Sequence, residues 1–197
     1  MTAQLILLDL GGVLVELGDE LFPSDWFIDR QSFGLTEWFD SATATKFERG
    51  EISASTFLGE LTSRTHPNIT EELLENTFKG WLKGLYPGAS ELVNQLKSRY
   101  QVAVLSNTNE LHEERLTIDF GLSSLIEHLY FSHKIGLAKP NRASFAYVLE
   151  KLGFRPQDTI FFDDNVNNVM AARELGIQAH HVFSPADVAA KLGFHIG

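Results

Sequence analysis

Short, bare apolar runs recur along the chain and are separated by longer amphipathic stretches. The runs are Leu5–Leu8, Val102–Leu105, Leu129–Phe131, Thr159–Phe162 and Ala179–Val182. They are too short for helices and show little polar alternation, which is typical of parallel strands covered on both faces. The pattern therefore predicts a set of buried parallel strands.

The stretches between these runs have helical spacing. Apolar residues recur at intervals of three and four in two clear cases, Ala89–Leu92–Val93–Leu96 and Phe145–Val148–Leu149–Leu152. Gly153 and Gly176 stand where a helix C-terminus needs a left-handed residue. Strands that alternate with helices indicate right-handed crossovers, so we expect an α/β fold with a doubly wound, Rossmann-like parallel sheet.

One interval, residues 16–85, breaks this alternation because its pattern is helical and rich in aromatic residues. Ser53 and Thr70 are candidate N-caps within it. We expect a small all-helical cap domain at 16–85, inserted after the first strand, and an α/β core domain formed by 1–15 and 86–197. The aromatic residues, interpreted as the core of the cap, are Trp26, Phe27, Trp38, Phe39, Phe47, Phe57, Phe78 and Trp81.

Composition narrows the possible partners. The 197 residues suffice for one full domain with a small insert, and the formal net charge of −10 repels nucleic acid and anionic membranes. The absence of cysteine excludes disulfides and thiolate metal sites. No run of about 18 apolar residues occurs, and the start of the chain lacks a basic signal-peptide region. We expect a soluble, cytoplasmic protein, either monomer or homodimer, without nucleic-acid or membrane partners.

Polar and charged residues follow the apolar runs at the points where strands end. Asp9 to Gly12 follow the first run, Ser106 to Asn109 the second, Lys139 the third after a loop, and Asp163 to Asn165 the fourth. Each group by itself is typical of a turn, a helix N-cap or a surface position. Ligands of open parallel sheets bind beyond the carboxyl ends of the strands, so the groups together indicate one site.

These residue types suit phosphoryl transfer. A carboxylate such as Asp9 can attack phosphorus to form an aspartyl-phosphate, which splits one difficult step into two. Mg²⁺ prefers oxygen ligands and uses few protein carboxylates, which Asp9 and Asp164 can supply. Ser106 and the amides that follow it can hold phosphate oxygens, and Lys139 can neutralise charge and keep Asp9 ionised.

The ordered set resembles the haloacid dehalogenase-like hydrolase superfamily. The matching motifs are Asp9-Leu10-Gly11-Gly12-Val13-Leu14, Leu105-Ser106-Asn107, Lys139-Pro140 and Phe161-Phe162-Asp163-Asp164-Asn165. The insert lies where subclass I members carry a cap domain. Two stretches, Phe47–Ser53 and Leu105–Asn109, also resemble the bacterial branch that includes α-D-glucose-1-phosphate phosphatase.

The resemblance implies roles for the motif residues. Asp9 is the expected nucleophile, and Mg²⁺ is expected on Asp9, Asp164 with help from Asp163, and the backbone carbonyl of Gly11. The phosphate contacts would be Ser106, Asn107 and Lys139. Asn168 occupies the position of a supporting family carboxylate. The implied activity is hydrolysis of a small phosphate monoester, such as the sugar phosphate hexose 1-phosphate.

The first motif departs from most phosphatases of the superfamily. They carry a second Asp two residues after the nucleophile as general acid and base, and here that residue is Gly11. Its loss can lower the rate about 10²–10⁴-fold unless the leaving group departs easily or another group donates the proton. Glu16, His66 and His112 are candidate substitutes, although a structural or exposed role is the simpler interpretation of each histidine.

Two other functions stay open. A metal-independent 2-haloacid dehalogenase would also use an Asp nucleophile without the second Asp, but the adjacent Asp163 and Asp164 would repel each other without a cation. A catalytically impaired binding protein of the same fold is the other alternative. Arg49, in a predicted turn of the cap, is a candidate substrate contact or a solvated surface residue.

Overall fold

A parallel five-stranded sheet forms the centre of the protein in a computed structural model that describes residues 4–28 and 41–196. The strand order is β5–β4–β1–β6–β7, and every neighbouring pair is parallel. The sheet strands are β1 Leu5–Leu8, β4 Gln101–Ser106, β5 His128–Phe131, β6 Thr159–Asp163 and β7 Gln178–His181. The predicted α/β doubly wound sheet is confirmed, and each predicted run lies in a strand or within a residue of one.

Helices cover both faces of this sheet, because successive side chains of each strand point to opposite sides. Ile6 and Leu8 belong to one buried cluster, whereas Leu5 and Leu7 belong to the other. The helices outside the insert are α4 Ala89–Lys97, α5 Glu110–Glu114, α6 Leu122–Leu125, α7 Ser132–Ile135, α8 Arg142–Leu152, α9 Val166–Glu174 and α10 Pro185–Leu192. A π-helical turn, Arg115–Asp119, continues α5.

The described part of the insert contains α1 Ala42–Glu48, α2 Ala54–Thr62 and α3 Glu71–Lys79. Ser53 and Thr70 cap α2 and α3, as predicted, since each side chain accepts a hydrogen bond from the backbone three residues on. The ring centroids of Phe47 and Phe57 are 4.4 Å apart in a stacked pair inside these helices. Trp38 and Phe39 lie outside the described residues.

The borders of the insert are not helical. β2, Val15–Leu17, pairs antiparallel with β3, Leu82–Leu85. α3 ends at Lys79, although the helical spacing of the apolar stripe Leu74, Phe78, Trp81 and Leu82 predicts that the helix continues to Leu82. The helix does not reach Leu82 because Leu82 pairs with Leu17 in the antiparallel strand pair. Periodicity alone does not show this pairing. The division into a core of 1–15 and 86–197 and a cap of 16–85 stays a prediction.

A helix that crosses a bilayer must be both long and apolar. None of the helices in the described ranges combines the length and the apolar character needed to cross a bilayer.

Candidate active site

The carboxyl ends of β1, β4 and β6 meet at one edge of the sheet. Leu8 is in register with Val104 on one side and Phe162 on the other, so the residues that follow these positions come together. They open into a cavity of about 790 Å³. Its lining includes the predicted residues Asp9, Gly11, Ser106, Asn107, Lys139, Asp164 and Asn168.

Asp9 lies just beyond β1 and is almost completely buried. Its Oδ1 accepts hydrogen bonds from the backbone N–H of Leu10 at 2.7 Å and from Lys139 Nζ at 2.8 Å. Burial, with the charges of Asp163 and Asp164, raises the pKa of Asp9 to about 8, although Lys139 acts to lower it. Lys139 is therefore the neighbour that favours the ionised form of Asp9, against burial and two nearby carboxylates.

Lys139 links two carboxylates. Its Nζ lies 2.8 Å from Asp9 Oδ1 and 2.6 Å from Asp163 Oδ2, and all three side chains are buried. Burial acts to lower the pKa of Lys139, but Asp163 and Asp9 outweigh it and leave the pKa raised. Lys139 is therefore a cation held against the proposed nucleophile.

The side chain of Asn107 is engaged by the backbone of Lys139, and its predicted phosphate contact stays a prediction. Its Nδ2 donates to the backbone carbonyl of Lys139, and its Oδ1 accepts from the Lys139 backbone N–H, both at 2.8 Å. The two polar atoms of its side chain are thus engaged by one peptide unit on each side of Lys139. This places Lys139 at the end of β4, a function that the motif did not reveal.

Ser106 closes β4 and faces the cavity, buried, with its hydroxyl in one long contact of 3.5 Å to the Asn107 carbonyl. Three of the backbone N–H groups that follow it have partners within the protein. The N–H of Thr108 donates to Ser132 Oγ, and those of Leu111 and His112 donate to Asn109 Oδ1. Of the expected anion contacts, the Ser106 hydroxyl therefore remains the clearest.

Three carboxylates converge at this edge. One oxygen from each of Asp9, Asp163 and Asp164 lies within 4.8 Å of the others. Burial and the charge of Asp163 raise the pKa of Asp164 to about 6, against the lowering effect of Lys139. One lysine cannot offset this concentration of negative charge, and a divalent cation with oxygen ligands would. The donor set fits Mg²⁺.

Asp163 is the least accessible of the three carboxylates. Its Oδ1 accepts from the Asn165 N–H at 2.8 Å and from Asn168 Nδ2 at 3.0 Å, while its Oδ2 accepts from Lys139. Both oxygens are already engaged, so Asp163 orients Lys139 and Asn168, whereas Asp164 faces the cavity. Asn168 therefore donates to Asp163, and the metal-binding role predicted for Asp163, like the supporting role predicted for Asn168, stays a prediction.

The two glycines after Asp9 meet different neighbours. Gly12 has a φ of +68°, and a Cβ there would lie 2.3 Å from Asp164 Oδ2, so only glycine lets this backbone approach the carboxylate. A Cβ on Gly11 would instead lie 3.1 Å from Cδ1 of Leu17. Gly11 lines the cavity, and the metal contact through its carbonyl stays a prediction.

The candidate substitutes for the missing acid are placed differently. His112 lines the cavity, but its Nε2 bonds the Phe78 carbonyl at 2.9 Å and its Nδ1 bonds Asn109 Nδ2 at 3.2 Å. Burial lowers the pKa of His112 to about 4, so it is neutral near pH 7. Glu16 and His66 do not line this cavity. None of the three is placed as a proton donor.

The insert contributes Thr45 and Glu48 to the cavity, both from α1. Arg49, the predicted substrate contact, follows α1 directly but does not line the cavity, and its guanidinium lies 2.6 Å from Glu51 Oε1. Thr45 and Glu48 are not among the residues predicted from the sequence, although a spacing of three residues places both on one face of a helix.

A family model described as haloacid dehalogenase-like hydrolase matches residues 3–176. The chain belongs to the haloacid dehalogenase-like hydrolase family. The match spans the four motifs that carried the resemblance, and the fold around the cavity agrees with it. The predicted residues at the carboxyl edge, Asp9, Ser106, Lys139 and Asp164, all lie within the matched range.

Similar proteins cover nearly the whole chain. A D-ribitol-5-phosphate phosphatase of Bacteroides thetaiotaomicron is 24% identical over 192 residues, which span 92% of this chain and 93% of the relative. A sesquiterpene phosphatase of Aspergillus oryzae is 28% identical over 195 residues, which span 92% and 90%. A crystal structure of a HAD family enzyme from Bacteroides thetaiotaomicron, in complex with magnesium and inorganic phosphate, has a TM-score of 0.79 and 26% identity over 91% and 93% of the two chains. These relatives support a phosphoric monoester hydrolase.

Proposed function

We propose that this hydrolase is a Mg²⁺-dependent phosphatase that hydrolyses a small phosphate monoester through an aspartyl-phosphate on Asp9. The observation that carries the proposal is the placement of Asp9, Lys139 and Asp164 around one cavity, with Lys139 Nζ 2.8 Å from Asp9 Oδ1. Phosphatases among the relatives, and the magnesium and phosphate bound to a similar structure, support it.

Asp9 carries the covalent step. Its Oδ1 is held by the Leu10 N–H and by Lys139, which leaves Oδ2 to attack phosphorus. The bond from phosphorus to the ester oxygen breaks, and the alkoxide departs with the electron pair and takes a proton from water. Water then hydrolyses the aspartyl-phosphate, which returns Asp9 and releases inorganic phosphate.

The remaining groups orient the phosphate and balance charge. The Ser106 hydroxyl donates to a phosphate oxygen, and Lys139 offsets the negative charge that develops beside Asp9. Asn107 binds the backbone of Lys139, and Asp163 binds its ammonium group. Asp9, Asp164 and the Gly11 carbonyl would hold Mg²⁺, which supplies positive charge where two anions must approach.

The alcohol part of the substrate is a finer question. A sugar phosphate, such as the hexose 1-phosphate expected from the sequence, has a better leaving oxygen than a simple alcohol, which suits a site with Gly11 in place of the acid. It stays a prediction, and the contact expected from Arg49 is not supported, because Arg49 does not line the cavity. The dehalogenase alternative is disfavoured by the cluster of Asp9, Asp163 and Asp164, whose oxygens lie within 4.8 Å of one another and would repel each other without a cation.

The test is phosphate release from p-nitrophenyl phosphate and a panel of sugar phosphates, with Mg²⁺ and then with EDTA. We expect release that depends on Mg²⁺, abolished in Asp9→Asn and retained in Asp19→Asn, which changes an exposed aspartate. Activity in Asp9→Asn equal to that of the wild type would refute the nucleophile. Halide release from 2-chloropropionate in EDTA would favour the dehalogenase instead.

A further inference from the structure

The side chain of Leu17 lies in close contact with the position that the Cβ atom of an aspartate at residue 11 would take. An ideal Cβ on Gly11 would lie 3.1 Å from Leu17 Cδ1 and 3.7 Å from its Cγ and Cδ2. Leu17 lies at the end of β2 and lines the same cavity as Asp9. In place of a carboxyl group, this enzyme therefore presents a hydrocarbon surface next to the nucleophile.

This hydrocarbon surface continues along the strand pair and the helix beside it. We call it the apolar wall. Its members line the cavity, and all except the half-buried Leu17 are buried against the core. The apolar wall consists of Leu17, Trp81, Leu82 and Leu116.

The ring nitrogens of Trp81, in the apolar wall, and of His112, beside it, already have hydrogen-bond partners within the protein. The indole Nε1 of Trp81 donates to the Gly18 carbonyl at 2.8 Å. Both ring nitrogens of His112 are bonded, one to the Phe78 carbonyl and one to Asn109. A hydroxyl group that faces this surface would lose its water and gain no hydrogen-bond partner, which disfavours its burial there.

We propose that the substrate is a phosphate monoester of an apolar aromatic alcohol, whose ring packs on the apolar wall and whose oxygen leaves without a proton from the protein. This inference rests on the proposed phosphatase activity and departs from the sugar expected from the sequence. The polar side chains of the insert, Thr45 and Glu48, lie on α1 and leave the apolar wall itself unbroken.

The chemistry of the leaving group agrees with the surface. Attack by Asp9 breaks the bond between phosphorus and the aryl oxygen, and the aryloxide departs with the electron pair and takes its proton from solvent. A phenol has a pKa of about 10, as for tyrosine, whereas water is at about 15.7. An aryloxide therefore needs the acid missing at Gly11 far less than an alkoxide does.

The cavity is large enough for such a group. Its volume of about 790 Å³ lies within the range of about 300–1,000 Å³ that is usual for sites of drug-sized organic ligands. Leu17 and Leu116 both line this cavity together with Asp9.

The test compares kcat/KM for four substrates with Mg²⁺: phenyl phosphate, hexyl phosphate, glucose 6-phosphate and α-glucose 1-phosphate. Hexyl phosphate and glucose 6-phosphate are both primary alkyl esters, so their ratio reports the surface and not the leaving group. We expect hexyl to exceed glucose 6-phosphate and phenyl to exceed α-glucose 1-phosphate, each by at least about tenfold. Within an alkyl series kcat/KM should rise about fourfold per methylene, from about 0.8 kcal/mol per buried CH₂.

A variant ties the preference to the apolar wall. Leu17→Asn should lower the ratio of hexyl phosphate to glucose 6-phosphate, whereas Leu73→Asn, at a half-exposed leucine of α3, should leave it unchanged. The ratio is independent of the folded fraction, because both substrates meet the same preparation. Equal or faster hydrolysis of the sugar phosphates, or an unchanged ratio in Leu17→Asn, would overturn the inference. If neither these esters nor p-nitrophenyl phosphate were hydrolysed, the phosphatase proposal itself would fail.

Discussion

His112 should make the protein less stable in acid, and its contribution can be worked out from the structure. Asn109 Oδ1 accepts from two backbone N–H groups, so its Nδ2 is the donor to His112 Nδ1. The other ring nitrogen therefore carries the proton and donates to the Phe78 carbonyl. These bonds select the neutral ring, and the ring also stacks on Phe78 with centroids 4.2 Å apart.

The sign of the effect follows from the direction of the pKa shift. Burial lowers the pKa of His112 from 6.5 to about 4, so below pH 6.5 the unfolded chain binds a proton that the folded protein does not. Stability is therefore unaffected above pH 7 and falls as the pH drops from 6.5 towards 4. At 1.36 kcal/mol per pKa unit, the loss between pH 7 and pH 5 is about 2 kcal/mol.

The assay is urea unfolding of the wild type and His112→Gln at pH 7 and pH 5, without metal. Glutamine keeps a donor and an acceptor but does not titrate. Asp9 and Asp164 have raised pKa values and contribute the opposite trend, but they are common to both proteins and cancel in the difference. We expect the wild type to lose about 2 kcal/mol more than the variant on acidification.

A pH dependence that is the same in both proteins, within about 0.5 kcal/mol, would refute this reasoning. It would mean that His112 is protonated in the folded protein at pH 5, and so that its bonds to Asn109 and Phe78 do not hold it neutral.

Three further substitutions test other positions. Gly50→Ala should lower the free energy of unfolding by about 1–3 kcal/mol, because φ is +67° and the new Cβ would lie 2.3 Å from the His133 carbonyl oxygen. Gly59 lies inside α2 with open space around it, so Gly59→Ala should raise the free energy of unfolding by about 0.5–1 kcal/mol. Thermal melts would show this, and equal effects of the two changes would contradict it. Asn107→Ala should reduce kcat/KM by up to about 100-fold, since it frees the backbone that places Lys139, with little change in helix content by circular dichroism. Wild-type kinetics in Asn107→Ala would rule out the positioning role.

Much of the fold was predictable because the deciding signals are local. Runs such as Leu5–Leu8 are apolar on both faces only where helices cover both sides of a sheet, so the runs themselves indicate buried parallel strands. Parallel strands also share a carboxyl edge. That geometry brings together Asp9, Ser106 and Asp164, which are far apart along the chain.

The contacts of individual side chains were not predictable in the same way. The motif marked Asn107 as a polar residue near phosphate, but its partner is the backbone of Lys139, across a loop whose path the pattern does not contain. Leu82 reads as part of a helical stripe, and only its pairing in β3 with β2 shows that α3 has already ended.

By itself, then, the sequence determined the class of fold, the edge that holds the site and the departure at Gly11, because periodicity and residue order carry that information. Only the tertiary structure decided what stands beside Gly11. Leu17 reaches it through the antiparallel pairing of β2 with β3, and His112 is neutral because Phe78 and Asn109 occupy its two nitrogens. Such contacts depend on how separate elements pack, which no local pattern encodes.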